Sequence, residues 1–250
     1  MSELVLRADH DGITTLTLNR PDKLNALSKD MMEALDDHVA VIERERRTVG
    51  LVILRGAGGN FSAGYDMDEV RAQVRAHGKP HVQSEVIERV AKLPQPVVCA
   101  VQGHCATGSM ELALAADLIV AAESAQFADT YARWGLTPIW GLSLRLPQRI
   151  GSPKAAEMML TCRSYTGREA QAMHLANFCW PDANFEVELA ALTADIVANS
   201  WYSNQLNKRA LKACDGLSLH EAHELELFKN EGLAPDAAAR VETFFARQKL

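Results

Sequence analysis

Two glycine-containing loops carry the clearest signs of chemistry in this chain. They span residues 61–67 and 103–111, and each joins a short apolar run to a segment with helical spacing. A turn from a strand into a helix exposes backbone N–H groups at the positive end of the helix dipole. Gly64 and Gly108 permit the unusual backbone angles and close approach that such turns need. If the two turns meet, they predict a pair of donors for an oxygen that gains negative charge during a reaction.

Glu111 is a candidate acid–base group at these loops, because it follows Gly108 by three positions in the first turn of a predicted helix. Next to an apolar ligand its pKa would rise toward neutrality, which suits a general acid or base. A glutamate in a first turn can also simply complement the helix dipole. Both interpretations stay open on these residues alone.

Other chemistries fit the sequence poorly. Gly103 and Gly108 have the spacing of a phosphate-binding loop, but Ser109 stands where that loop needs lysine. Ser109 also lacks the G-x-S-x-G frame that surrounds the nucleophile of a serine hydrolase. His220 and His223 are three positions apart, whereas a zincin helix needs four. The five cysteines are scattered without a C-x-x-C motif, so we predict reduced thiols and no metal site.

The elements that must position these loops alternate along the chain. An alternating hairpin precedes the uniformly apolar runs Val97–Val101 and Leu118–Ala122, which are typical of strands buried on both faces. Strands that alternate with helices predict an α/β fold with largely parallel pairing. From about residue 152 the pattern is helical, with a capping box at Thr166 and Glu169 and helices over 185–199, 202–213, 218–231 and 235–249. We expect this thin terminal block to dock on the body or on a neighbouring subunit.

Composition limits the classes of partner. Apolar residues make up 48% and charged residues 23% of the 250, which is ordinary for a globular protein. The net charge of −6 argues against a nucleic-acid surface but allows a local site for an anionic ligand. No apolar run is long enough to cross a membrane, and the first residues lack the pattern of an export signal. We therefore predict a cytoplasmic protein with no nucleic-acid or membrane partner.

Several motifs in register resemble those of the crotonase (enoyl-CoA hydratase/isomerase) family. Residues 19–28 (NRPDKLNALS) resemble its first signature, residues 61–67 its F-x-A-G-x-D oxyanion loop, and residues 102–119 its central signature. The likeness covers residues 1 to about 180 and continues more loosely to the end. It implies a crotonase-type ββα spiral with a C-terminal helical region, divided into a core over 1–195 and an oligomerisation region over 196–250. It also implies a homotrimer or a dimer of trimers.

The resemblance assigns roles to single positions. The backbone N–H groups of Tyr65 and Gly108 become the oxyanion hole for a thioester oxygen, and Glu111 matches the first of two catalytic glutamates. The second glutamate is replaced by Tyr131, which is a poor base at neutral pH but can donate a hydrogen bond or a proton. Asp129, two residues earlier, is an alternative substitute.

The function implied is that of an acyl-CoA enzyme, an enoyl-CoA hydratase first of all. Because Tyr131 replaces the second glutamate, two alternatives stay open: another lyase of the family such as an acyl-CoA decarboxylase, and a non-catalytic acyl-CoA-binding scaffold. Coenzyme A enters as part of the thioester substrate, so no separate cofactor is expected.

Coenzyme contacts are also implied by the resemblance. They fall on two segments of the sequence: Lys23, Leu24 and Ala26 on one edge, and Ala63, Asp66 and Met67 around the adenine. Phe245 and Lys249 are candidates to contact the coenzyme of a neighbouring subunit. Trp134, Trp140 and Leu142 are candidates to shape the acyl pocket, although tryptophan at such positions is as often ordinary core.

Overall fold

The computed structural model describes residues 3–76, 81–229 and 231–247, with side chains left out at 73–76 and 81–82. The strands, in chain order, are β1 (Val5–His10), β2 (Ile13–Leu18), β3 (Leu51–Gly56), β4 (Val97–Val101), β5 (His104–Ala106), β6 (Leu118–Ala122), β7 (Gln126–Ala128), β8 (Ser164–Thr166) and β9 (Phe178–Trp180). The helices are α1 (Lys29–Ile42), α2 (Met67–Ala76), α3 (His81–Lys92), α4 (Gly108–Ala113), α5 (Leu142–Ile150), α6 (Ser152–Thr161), α7 (Gly167–Ala172), α8 (Phe185–Ala198), α9 (Trp201–Ala213), α10 (Leu219–Lys229) and α11 (Ala237–Arg247).

The larger sheet has the strand order β1-β2-β3-β4-β6-β9. The β1–β2 hairpin is antiparallel and every other neighbouring pair is parallel, which confirms the predicted α/β fold. All five residues of β4 are buried, as the unbroken apolar run predicts for a strand covered on both faces. The carboxyl ends of β3 and β4 lead into the two candidate loops.

Each face of this sheet packs on its own set of apolar side chains. Val52, Leu54 and Cys99 point into the main core, which also takes the buried face of α1. Alternate residues of the same strands, such as Ile53 and Val98, point to the other face and pack on α8. This alternation follows from the two-residue period of a strand.

A second sheet of three strands, β5-β7-β8, was not predicted. The helical pattern predicted from about residue 152 is interrupted by two strands, β8 and β9, and His104 lies in β5 rather than in the predicted loop. Strands of three residues are too short to show a two-residue period, so pairing with distant segments decides them. The predicted Thr166–Glu169 capping box of α7 is confirmed. The Ser28 side chain caps α1 by accepting the Met31 N–H.

The C-terminal helices differ in how they meet the body. Helix α8 buries Phe185 and Leu189 against the sheet, and α9 places the Trp201 ring against Gly12 and Gly50. Helices α10 and α11 expose large apolar side chains, among them Leu219, Leu227, Phe228, Phe244 and Phe245. The boundary predicted between residues 195 and 196 falls inside α8, and the division into two regions stays a prediction. None of the described helices has both the length and the apolar character needed to cross a membrane.

Candidate active site

Backbone and hydroxyl hydrogen bonds bring the two candidate loops side by side. The Ser62 N–H donates to the His104 carbonyl over 2.8 Å, and the Ala106 N–H donates to the Ser62 carbonyl over 3.3 Å. The buried Ser109 hydroxyl lies 2.8 Å from the Ser62 carbonyl, to which it donates. The sequence did not indicate this role for either serine. The expected meeting of the two strand-to-helix turns therefore occurs.

The loops approach so closely at Gly64 that no side chain fits there. A Cβ atom on Gly64 would lie 2.4 Å from Thr107 Oγ1 and 2.6 Å from the Ala106 carbonyl oxygen, and its φ is +101°. Thr107, which sequence reasoning also missed, has φ 48° and ψ −113° and is the residue before α4. Such backbone angles are costly for a residue other than glycine and often occur at functional sites.

The two expected oxyanion donors flank this contact. Tyr65 follows Gly64, just before the start of α2, and its phenol donates to Glu69 Oε2 over 2.8 Å. Gly108 is the first residue of α4, where an N–H has no acceptor within the helix. The Trp140 ring touches both: its centroid lies 5.1 Å from that of the Tyr65 ring, and its edge packs on Gly108.

Glu111 is fully buried in the first turn of α4, with both carboxylate oxygens held by neutral donors. Its Oε1 accepts hydrogen bonds from the backbone N–H groups of Trp140 at 2.9 Å and Leu142 at 3.1 Å. Its Oε2 accepts a hydrogen bond from the Tyr131 hydroxyl over 2.5 Å. Tyr131 and Glu111 are therefore in direct contact although twenty residues separate them.

The surroundings set the protonation of this pair. Burial raises the pKa of Glu111, the three hydrogen bonds oppose that rise, and the charge of Asp129 adds to it. Burial and the neighbouring Glu111 carboxylate raise the pKa of Tyr131 far above its ordinary value. The phenol therefore stays protonated and acts as a donor, while Glu111, whose pKa is raised, is the group of the pair that can exchange a proton.

Asp129 is buried next to this pair, but its carboxylate accepts a hydrogen bond within its own turn. Its Oδ1 accepts a hydrogen bond from the Tyr131 N–H over 3.0 Å, and burial raises its pKa. A carboxylate that bonds the N–H two residues later forms an Asx turn, which fixes the backbone of Tyr131. Of the two candidate substitutes for the missing glutamate, Tyr131 is the one that contacts Glu111.

Comparison with known proteins decides the family. Residues 8–234 match the family model described as enoyl-CoA hydratase/isomerase. The chain belongs to this family. It is 30% identical over 244 residues to a probable peroxisomal enoyl-CoA hydratase 1 of Arabidopsis thaliana, covering 98% of this chain and 91% of that one. It is 27% identical to the 1,2-epoxyphenylacetyl-CoA isomerase of Escherichia coli, covering 99% and 97%.

Solved structures in the enoyl-CoA hydratase/isomerase family have the same fold. The crystal structure of an enoyl-CoA hydratase from Bacillus anthracis matches with a TM-score of 0.91 at 30% identity, covering 98% of this chain and 96% of that one. The predicted crotonase-type fold and the predicted family of acyl-CoA enzymes are confirmed. Because relatives are named as both hydratases and isomerases, the family does not by itself fix the reaction.

The two segments to which the family resemblance assigns coenzyme contacts lie next to each other. The Ala63 N–H donates to the Leu24 carbonyl over 2.9 Å, and the Leu27 N–H donates to the Gly64 carbonyl over 2.8 Å. Four of the six predicted side chains are exposed along this edge: Lys23, Leu24, Ala63 and Met67. Ala26 is partly buried there.

Asp66 differs from the other members of this edge because its carboxylate is occupied within the chain. It is only 8% exposed, lies 3.0 Å from Arg20 Nη1 and accepts the N–H of Asp68 at the start of α2. The Arg20–Asp66 ion pair ties the first signature to the oxyanion loop, a role that sequence reasoning missed. Lys23 Nζ lies 3.9 Å from a carboxylate oxygen of Asp68 at the surface.

The residues predicted to shape the acyl pocket or to contact a neighbouring subunit differ in burial. Trp140 and Leu142 are buried beside Glu111, whereas Trp134 is 58% exposed. Phe245 lies on α11, half exposed and in edge contact with Phe244. Lys249 lies outside the described residues, so its expected contact with a neighbouring subunit stays a prediction. Among the described residues no group of three His, Cys, Asp or Glu side chains could hold a metal ion.

Proposed function

We propose that this family member is an enoyl-CoA hydratase that uses Glu111 as its one acid–base group. The observation that carries the proposal is the buried Glu111 carboxyl, three residues after Gly108 and held by Tyr131 and two backbone N–H groups. A carboxyl group with a raised pKa and fixed orientation beside two helix-start amides fits proton transfer next to a thioester carbonyl.

The substrate binds as a complete thioester. Its carbonyl oxygen accepts hydrogen bonds from the N–H groups of Tyr65 and Gly108, which stabilise the negative charge that develops there. Coenzyme A lies along the edge formed by residues 23–26 and 63–67 and enters as part of the substrate, so no further cofactor takes part. Loss of one oxyanion donor typically costs on the order of 10²–10³ in rate.

Hydration then needs one proton to leave water and one to reach carbon. The water oxygen bonds to the β-carbon, the electrons of the double bond move into the thioester to form an enolate, and Glu111 accepts the proton from water. Glu111 next delivers that proton to the α-carbon, and the enolate electrons form the new C–H bond. Tyr131 holds Glu111 Oε2 throughout by donating its hydroxyl hydrogen.

Decarboxylation is the second candidate, and one observation favours it. The group facing Glu111 is the neutral Tyr131 phenol rather than a second carboxylate, so less negative charge opposes a substrate that carries its own carboxylate. Loss of carbon dioxide leaves the same thioester enolate, and a proton donor completes the reaction.

Turnover of two thioesters tests the proposal. We expect crotonyl-CoA to lose its enoyl thioester absorbance with the native protein and to keep it with Glu111→Ala. Release of carbon dioxide from methylmalonyl-CoA without hydration of crotonyl-CoA would replace hydration by decarboxylation. Tight binding of both thioesters without turnover would favour the non-catalytic scaffold.

We also propose that the protein forms a homotrimer or a dimer of trimers. The large apolar side chains exposed on α10 and α11, such as Phe228 and Phe244, support association with other copies. Analytical ultracentrifugation tests this, and a monomer at micromolar concentration would contradict it. The cytoplasmic location expected from the sequence stays a prediction, and one relative is described as peroxisomal.

A further inference from the structure

Trp140 contacts three residues on which the proposed reaction depends: Glu111, Gly108 and Tyr65. Its backbone N–H donates to Glu111 Oε1 over 2.9 Å, and its side chain is only 2% exposed. One residue therefore orients the carboxyl with its main chain while its large ring is placed among the catalytic loops. Sequence reasoning left this ring as either core or pocket wall.

The indole lies directly on the start of α4. A Cβ atom at Gly108 would come within 2.5 Å of Trp140 Cζ3 and 3.0 Å of Cε3. Even alanine would collide with the ring at this position. The ring therefore occupies the space immediately beside the backbone whose N–H is the proposed oxyanion donor.

The indole also contacts the Tyr65 ring. The two rings meet edge to face, with centroids 5.1 Å apart and planes at 73°. The Tyr65 hydroxyl is held in turn by Glu69 at 2.8 Å and by the buried Gln83 side chain at 3.3 Å. Because buried aromatic rings in such edge contacts are closely packed, displacing the indole would disturb all of these contacts.

We propose that the Trp140 indole is the wall of the acyl site and restricts this enzyme to short acyl groups such as crotonyl or butyryl. The inference deepens the proposed function and rests on it. A thioester whose oxygen meets the Tyr65 and Gly108 amides has its α- and β-carbons beside Glu111. The indole borders Gly108 and Tyr65, and the backbone N–H of the same residue holds Glu111, so the ring stands where a longer acyl chain would continue.

Binding of saturated acyl-CoAs tests this wall without requiring turnover. Isothermal titration of the native protein should give a Kd for decanoyl-CoA at least about tenfold weaker than for butyryl-CoA, because the extra methylenes find no space. In Trp140→Ala that ratio should fall about tenfold or more. Trp140→Phe, a smaller change that keeps an aromatic ring against Tyr65, should shift the ratio in the same direction by less.

Trp134→Ala is the matched control, since Trp134 is the same residue type but 58% exposed. It should keep the native chain-length ratio. The inference is overturned if native protein binds decanoyl-CoA as tightly as butyryl-CoA, or if Trp140→Phe and Trp140→Ala both keep the native ratio. If butyryl-CoA binds more tightly than decanoyl-CoA but crotonyl-CoA is not hydrated, the proposed reaction is contradicted and the role of Trp140 is retained. If crotonyl-CoA is hydrated but the two acyl-CoAs bind equally tightly, the role of Trp140 is contradicted and the proposed reaction is retained.

Discussion

Two carboxylates near the two ends of helix α4, one buried and one partly buried, are stabilised in opposite ways. Glu111, in its first turn, is held by one phenol and two backbone N–H groups, all neutral. Asp117, just beyond its end, lies 2.6 Å from Lys208 Nζ and accepts the Val97 N–H over 2.8 Å. Lys208 is 7% exposed and also donates to the Gln95 carbonyl over 2.9 Å.

The difference separates a structural carboxylate from a reactive one. Asp117 meets a cation, so it joins α9 to the start of β4. Burial lowers the pKa of Lys208 to about 8, although the nearby Asp117 opposes that change. Glu111 accepts hydrogen bonds from neutral donors and not from a cation, and burial raises its pKa, which suits a group that exchanges a proton.

The largest expected effect is the loss of activity when Glu111 is replaced. Glu111→Gln keeps the shape and can still accept both backbone N–H groups, but it cannot exchange a proton. We expect crotonyl-CoA hydration to fall about 10²–10⁴-fold with an unchanged circular dichroism spectrum. Retention of more than a tenth of the native rate would show that Glu111 is not the acid–base group.

Breaking the ion pair of Asp117 should lower stability rather than activity. Lys208→Met keeps the length of the side chain but leaves Asp117 without its closest cation. We expect the free energy of unfolding in urea to fall by about 2–3 kcal/mol, below the usual range for a broken buried pair because Asp117 is 23% exposed. Activity per folded molecule should change less than threefold.

A double variant tests whether Lys208→Met loses stability because the Asp117 carboxylate is left without its cation. Lys208→Met combined with Asp117→Asn removes both charges, so part of the lost stability should return. If the double variant is no more stable than Lys208→Met alone, the ion pair is not what joins these elements.

The contact between Tyr131 and Glu111 should have a smaller and pH-dependent effect. Tyr131→Phe removes a hydrogen bond that lowers the pKa of Glu111, so that pKa should rise further. Because the ionised carboxylate accepts the proton from water, activity is lost as pH falls through this pKa. The acid limb of the kcat/KM profile should therefore move to higher pH, with about a tenfold lower maximum. A limb that stays in place or moves to lower pH would contradict the assignment.

The smallest expected effect is on the stability of Glu111→Gln. Since the folded state raises the Glu111 pKa, ionisation costs native stability as pH rises from the unfolded to the folded value. The glutamine variant avoids this cost, so its Tm above that window should exceed the native value by about 2–4 °C. The difference should vanish at acid pH, and thermal scans at several pH values check both statements.

Much of the architecture could be predicted because its signals are local. The unbroken apolar run of β4, the hairpin turn at Asp11 and Gly12 and the Thr166–Glu169 capping box each report on adjacent residues. The small sheet was missed, since strands as short as β5 and β8 are defined by distant partners. The positions of Glu111, Gly108 and Tyr65 came from motifs rather than from periodicity.

The detailed site could not be predicted, since backbone donors have no sequence signature. The N–H groups of Trp140 and Leu142 reach Glu111 only because the turn before α5 folds over α4. Likewise the Arg20–Asp66 ion pair joins two motifs that looked independent in the sequence. Whether Tyr131 or Asp129 faced Glu111 required coordinates, because both lie in the same short segment after β7.

The central claim is that two amides meet one thioester oxygen within reach of a buried carboxyl. Infrared difference spectra of crotonyl-CoA labelled with ¹³C at the thioester carbonyl and bound to Glu111→Gln test it most directly. The account predicts a carbonyl band at lower frequency than in free solution, because two N–H groups polarise the bond. A bound thioester whose band stays at its solution frequency would contradict it.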